Sequence, residues 1–248
     1  MAEPGERDED QPRMPAHASL LLQQWTDVPE ELLTPERRAA RRAADSIRDL
    51  IARLADTSAS LAQLEDLAER LDAAVAAMPI GATEGGPGAE PGAAEASLAL
   101  PDELQRLIER SPIVGLANPL AAPLRMEVFD DHIVGHVRFS RAYEGPPGKV
   151  HGGHVAAVFD ELLGSTQVLS GQAGMTGRLV INYRSPTPLE TDLRMEGRIK
   201  VREGRKIFCE GTLHAGEQLC AEAEGLFVSI DPDRYRQMME ARGGAGAS

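Results

Sequence analysis

Cysteine, tryptophan and basic residues are scarce in this chain, and each shortage removes a class of protein. Its 248 residues hold two cysteines, one tryptophan, three tyrosines and five phenylalanines. Cys209 and Cys220 fall within candidate strands and lack CxxC spacing. They read as small buried apolar residues rather than as a disulfide framework or a thiolate zinc site, which suits a reducing compartment. Lysine and arginine number 26 against 39 aspartates and glutamates, a net charge of -13. Such an acidic chain is a poor nonspecific binder of nucleic acid, so no nucleic-acid partner is expected. No stretch approaches the roughly 18 apolar residues of a spanning helix, so stable membrane insertion is not expected. The opening MAEPGERDEDQPR is acidic and has no apolar run of signal-peptide length, which makes the cytoplasm the expected location. What is plentiful is aliphatic: 42% hydrophobic residues suffice for the core of one soluble domain with extensions.

Residues 1–18 are polar and proline-containing and read as a disordered acidic tail. Thr34-Pro35 reads as an N-cap and first helical residue, after which Ala40, Ala43, Ala44, Ile47, Leu50, Ile51 and Leu54 keep helical spacing. Ser60 with Gln63 forms a capping box for a second helix, whose apolar stripe is Leu61, Leu64, Leu67, Ala68, Leu71, Val75 and Met78. Together they predict a helical hairpin within 19–80, with Arg37, Arg38, Arg41 and Arg42 as a solvated face. GATEGGPGAEPGAA, residues 81–94, has no hydrophobic pattern, so 81–96 reads as a flexible linker. Residues 97–232 then form the main domain, 233–248 a C-terminal tail, and 1–95 are expected to be dispensable for chemistry.

A short helix is expected at about Asp102–Arg110, and from Met126 the apolar period changes from 3.6 to 2. Ile133, Gly135, Val137 and Phe139 alternate with Val134, His136 and Arg138. Leu193, Met195, Ile199 and Val201 alternate with Arg194, Glu196, Arg198 and Lys200, and the pattern continues through Ile207, Cys209, Leu213, Leu219, Ala221, Ala223 and Phe227. The strong helix of this region is 153–166. Strands wrapped around one apolar helix describe an α+β layout.

That helix opens with His151-Gly152-Gly153 and carries Asp160. The unpaired N–H groups of a first helical turn form a ready site for developing negative charge, and paired glycines let another molecule approach closely. A carboxylate among Val155, Val158, Phe159, Leu162 and Leu163 reads as buried, which is costly unless it has work or a partner. Seven residues of helix place Asp160 roughly 10 Å along the axis from Gly153. One helix cannot easily bring both to one carbonyl, whereas two antiparallel copies across a two-fold axis bring the glycine end of each to the aspartate of the other. His151 and His154 stand at metal-ligand spacing, but the motif holds no third ligand, so no metal is expected. Glu161 points about 100° away from Asp160 and is not taken as a second acid.

The flanking runs YEGPPGKV (143–150) and MTGRLVINYRSP (175–186) complete a pattern that closely resembles PaaI-type hotdog acyl-CoA thioesterases, in the thioesterase-superfamily member 4-like branch. The resemblance covers about residues 112–230. It implies the hotdog fold, an antiparallel sheet wrapped around one long central helix, here with the N-terminal helical hairpin as an extension. It implies an acyl-CoA substrate of lipid metabolism, hydrolysis to free acid and CoA, no cofactor, and a homodimer or dimer of dimers. Carried over by position, the Gly153 amide beside Gly152 faces the thioester oxygen, His151 orients the site, Asp160 is base or nucleophile, and Thr176 stands opposite the acid to hold water. CoA phosphates need local positive charge, for which Arg184, Lys200, Arg202, Arg205 and Lys206 are available, the last two after Glu203-Gly204 in a predicted hairpin turn. Asn118 is expected to border the site. The alternatives are a noncatalytic acyl-CoA-binding or scaffold protein and a hotdog enoyl-CoA hydratase or dehydratase.

Overall fold

The computed structural model describes residues 33–79, 108–172 and 174–229. The 1–18 tail, the 81–96 linker and the 233–248 tail lie outside these residues, as does most of the short helix expected at 102–110. The chain clusters into two compact units: Met1–Arg53 with Ala99–Ile230, and Leu54–Leu98 with Asp231–Ser248. The division falls inside the stretch expected to form a hairpin, so that helix α1 (Pro35–Ala55) up to Arg53 goes with the sheet, and helix α2 (Leu61–Ala77) goes with the second unit.

Helix α2 begins as its sequence requires. The Ser60 side chain accepts from the Gln63 N–H and the Gln63 side chain accepts from the Ser60 N–H at 2.9 Å, satisfying two otherwise orphan donors. Its stripe remains open, with Leu61, Leu71, Val75 and Met78 exposed. Helix α1 starts at Pro35, with the Arg37 N–H donating to Thr34 Oγ1. Of its apolar stripe only Ala44 is buried, and Ile47 and Ile51 are exposed. Of the arginine face, Arg38 and Arg42 are exposed as expected, whereas Arg37 and Arg41 are turned to a partner. Arg37 Nη2 donates to Glu109 Oε1 at 2.9 Å and Arg41 Nε to both Glu109 oxygens at 3.0 and 3.1 Å. Arg48 donates to the carbonyls of Asn118 (2.7 Å) and Leu116 (3.0 Å). Burial alone would raise the Glu109 carboxyl, but hydrogen bonds and charge from Arg41 and then Arg37 outweigh it and hold it below its ordinary range. The arginines fasten α1 to the segment that leads into the sheet.

Six strands form one antiparallel sheet: β1 (Arg125–Val128), β2 (His132–Arg138), β3 (Gly174–Tyr183), β4 (Asp192–Glu203), β5 (Lys206–Ala215) and β6 (Gln218–Ser229), in the order β1-β2-β4-β5-β6-β3. Helix α3 (Gly152–Thr166) lies across one face, burying Val155, Val158, Phe159, Leu162 and Leu163. Removing each such side chain from water contributes about 1.5–3 kcal/mol, so the helix is fixed by this face. It lies close because the sheet beneath it is small-sided. Gly197 pairs with Gly211, and Gly211 with Ala223. A Cβ on Gly197 would come within 2.4 Å of Thr166 Oγ1, and one on Gly211 within 3.0 Å of Leu163 Cδ2.

Alternation holds along most strands, with exceptions in β2 and β4. Val134 is buried although it was read as outward. A bulge between Ile199 and Val201 shifts the phase of β4, which leaves Val201 43% exposed rather than inward. Gly204-Arg205 forms the β4–β5 turn, with Gly204 at φ 59°. Cys209 and Cys220 are buried free thiols, and burial pushes the Cys209 thiol up to about 12. Among the described residues no helix is long and apolar enough to cross a membrane.

Candidate active site

The site grows from the N-terminus of α3. His151 is the N-cap, and its Nδ1 accepts the Gly153 N–H at 3.1 Å. Acceptance at Nδ1 requires that nitrogen to be unprotonated. The 145–151 loop presses closely behind it, since a Cβ on Gly145 would come within 2.8 Å of the His151 Cα. On the other side Tyr183, at the end of β3, donates its hydroxyl to the Gly152 carbonyl at 2.8 Å. Nothing in the local pattern marked Tyr183. Its position follows from register, because Tyr183 pairs with Ala221, whose side chain is buried on the face that carries α3.

Two turns along, Thr176 Oγ1 donates to Asp160 Oδ1 at 2.9 Å. Helix and strand thus run side by side, with Gly152 against Tyr183 at one end and Asp160 against Thr176 at the other. The expectation that Asp160 is buried is corrected. It is exposed, because it sits on the flank of α3 above β3, the outer strand of the sheet, and not on the flank that meets the core. That strand carries exposed apolar side chains, Met175 at 55%, Val180 at 41% and Tyr183 at 54%.

His154 lies on the opposite flank of α3, its ring 4.9 Å from that of Tyr143 and 6.1 Å from that of His151. Burial, then the nearby His151, holds its imidazole below the ordinary histidine value. Among the described residues no three His, Cys, Asp or Glu side chains group as a metal site.

The residues expected to meet CoA phosphates are scattered. Arg184 pairs with Glu222 at 2.6 Å, and Lys200 with Glu224 at 3.0 Å and Glu210 at 3.3 Å. Arg205 donates to the Ser229 carbonyl at 3.1 and 3.0 Å. Arg202 Nε reaches the Gly204 carbonyl at 3.5 Å, and Lys206 is exposed. The register places the turn end of the β4–β5 hairpin opposite the start of β3. Arg202 pairs with Ile207, Ile207 with Phe227 and Phe227 with Thr176, so Arg202, Arg205 and Lys206 lie toward the Asp160 end of α3 and away from Gly153. Asn118 spends its side chain on the chain itself, donating to the Arg110 carbonyl and accepting the Leu120 N–H, both at 2.9 Å.

An antiparallel sheet laid around one long helix, with a histidine-capped Gly-Gly start and an acid beside a strand threonine, defines a hotdog protein. The comparisons agree. No family model matches. Acyl-coenzyme A thioesterase THEM4 of Bos taurus is 37% identical over 93 residues, 37% of this chain and 38% of that protein. THEM4 of Xenopus laevis is 35% identical over 91 residues, 36% and 41% of the two. The chain thus spans about two-fifths of the length of these curated relatives. The crystal structure of a thioesterase superfamily protein matches at 32% identity with a TM-score of 0.62, covering 76% of this chain and 94% of that one. The chain belongs to the thioesterase superfamily.

Proposed function

We propose that the chain is an acyl-CoA thioesterase that works as a homodimer with shared sites. The observation that carries the reading is the hydrogen bond from Thr176 to Asp160. It holds Oδ1 with the hydroxyl and leaves Oδ2 to take a proton from water. The Gly153 N–H, at the positive end of α3, receives the thioester oxygen. Its bond to His151 Nδ1 is a local contact across two residues at 3.1 Å, which an incoming oxygen would share or replace.

In the reaction, water attacks the carbonyl carbon as Asp160 takes its proton, and the oxygen becomes an oxyanion held at the Gly153 N–H. The intermediate then collapses, the C–S bond breaks, and the departing CoA sulfur receives the proton that Asp160 took, which regenerates the carboxylate. If Asp160 attacks directly, an acyl-aspartyl anhydride forms first and water cleaves it, with the same products. Gly153 and Asp160 sit too far apart along one helix to act on one carbonyl. Pairing of the open β3 edge with the β3 of a second copy supports the shared arrangement, since it covers Met175, Val180 and Tyr183 and sets the two α3 helices antiparallel. Arg202, Arg205 and Lys206 would then accompany Asp160 toward the partner's Gly153, where the CoA phosphates are expected.

Release of CoA thiol from a series of acyl-CoAs, followed with a thiol reagent, tests the reading. Turnover that requires Asp160 supports it. Binding without turnover makes the chain an acyl-CoA binder, and hydration of an enoyl-CoA makes it a hydratase.

A further inference from the structure

A cavity of about 690 Å³ opens beside the first turn of α3, on the flank opposite Asp160. Ile51 and Ala52 of α1 form one wall, and Ile113, Leu120 and Ala122 of the segment before the sheet form another. Tyr143 and His154 close the end nearest the site. The volume falls within the roughly 300–1,000 Å³ of ordinary small-molecule sites. Its lining is mainly aliphatic, with charged Asp45, Arg48 and Asp49 on the α1 side and Arg138 at the end of β2.

Three observations say what belongs there. The cavity reaches the first turn of α3, since His154 lines it and directly follows Gly153, the residue whose N–H is proposed to hold the thioester oxygen. The end wall is uncharged at neutral pH: the His154 imidazole is held below its ordinary value by burial and by His151, and the Tyr143 hydroxyl is already committed to the Leu120 carbonyl at 3.0 Å. Leu120 nonetheless stands 66% exposed at the rim, an apolar side chain left facing the opening. The two acids and two bases of the lining balance, and both arginines are engaged, Arg48 by Asp45 and two backbone carbonyls and Arg138 by Asp192 and Glu190, which leaves Ile51, Ile113 and Leu120 to meet a hydrocarbon tail.

We infer that this cavity receives the acyl tail of the thioester, and that α1 thereby selects acyl chain length. The inference rests on the thioesterase reading and goes beyond it in assigning the N-terminal helix to the substrate site. Arg37 and Arg41 on Glu109, with Arg48 on Leu116 and Asn118, hold the α1 wall in place. Removing that wall opens one side of the cavity to solvent without touching Gly153, Asp160 or Thr176.

The test uses the full chain and CoA esters from acetyl to palmitoyl. Ala52→Trp fills the cavity from α1, and Leu120→Asp places a charge at its rim. Each is expected to lower kcat/KM for long acyl chains at least about tenfold relative to acetyl-CoA, the fall lying mainly in KM. Ala39→Trp, on another face of α1, is expected to leave the chain-length profile unchanged, and circular dichroism melts show which variants are folded. Folded variants with the wild-type profile overturn the pocket while leaving the thioesterase reading intact. A wild-type chain that hydrolyses none of the series overturns both.

Discussion

Tyr183 donates its hydroxyl to the carbonyl of Gly152, 2.8 Å away and 31 residues earlier in the chain. That carbonyl and the Gly153 N–H are two ends of one peptide group, and the N–H end rests on His151 Nδ1. The peptide is therefore held at both ends, and a hydrogen bond to its oxygen strengthens the N–H as a donor. With the thioester oxygen at Gly153 as proposed, Tyr183 acts through this peptide as a positioning residue.

Tyr183→Phe removes that hydrogen bond and keeps the ring. A bond of this kind contributes about 0.5–1.5 kcal/mol, so kcat is expected to fall about two- to tenfold with KM nearly unchanged. Steady-state kinetics of the folded variant measure the split. A rise in KM with unaltered kcat shows instead that Tyr183 contacts substrate.

Asp160→Asn keeps shape and removes the proton acceptor. A loss in kcat of about a hundredfold or more is expected, with acyl-CoA binding retained. Thr176→Val is expected to lose less, because the carboxylate remains. Equal kcat for Asp160→Asn and wild type would remove Asp160 from the mechanism.

Shared sites make a stronger demand. Gly153→Pro deletes the N–H, so it and Asp160→Asn are each expected to be inactive. After subunit exchange, one heterodimer site regains both intact halves, and activity is expected to return toward one site in two. Native mass spectrometry verifies the exchange, and verified heterodimers without activity refute sharing.

The docking of α1 is expected to depend on acid pH. The Glu109 carboxyl, with an ordinary value of 4.5, is held lower in the folded chain. Its contribution is therefore complete above that value and is lost as pH falls through the lower folded one. Hydrogen exchange of α1 amides is expected to quicken over that window and, in Glu109→Gln, at neutral pH. Loss of this partly buried pairing destabilises the docked helix by about 1–3 kcal/mol. Exchange in Glu109→Gln that matches wild type at neutral pH argues that α1 is held by other contacts.

The legible features were those encoded locally. The Ser60–Gln63 box, the α3 helix starting one residue before its expected position, and the Gly204-Arg205 turn all follow from residues a few positions apart. The Thr176–Asp160 pair was legible only through family resemblance. Contacts set by register or by distant charge were not readable. Arg41 meets Glu109 across 68 residues, Tyr183 reaches Gly152 because β3 lies beside α3, and one bulge in β4 turns Val201 outward. The exposure of Asp160 follows from strand order, which periodicity does not encode.

The small-sided seam at Gly197 and Gly211 links durability to chemistry. A methyl group added there lifts the helix that carries both Gly153 and Asp160. Mutational drift at these two glycines would surface first as lost turnover, in positions that never touch substrate. A survey of inactive variants would therefore find hits on the floor of the fold as readily as at the site itself.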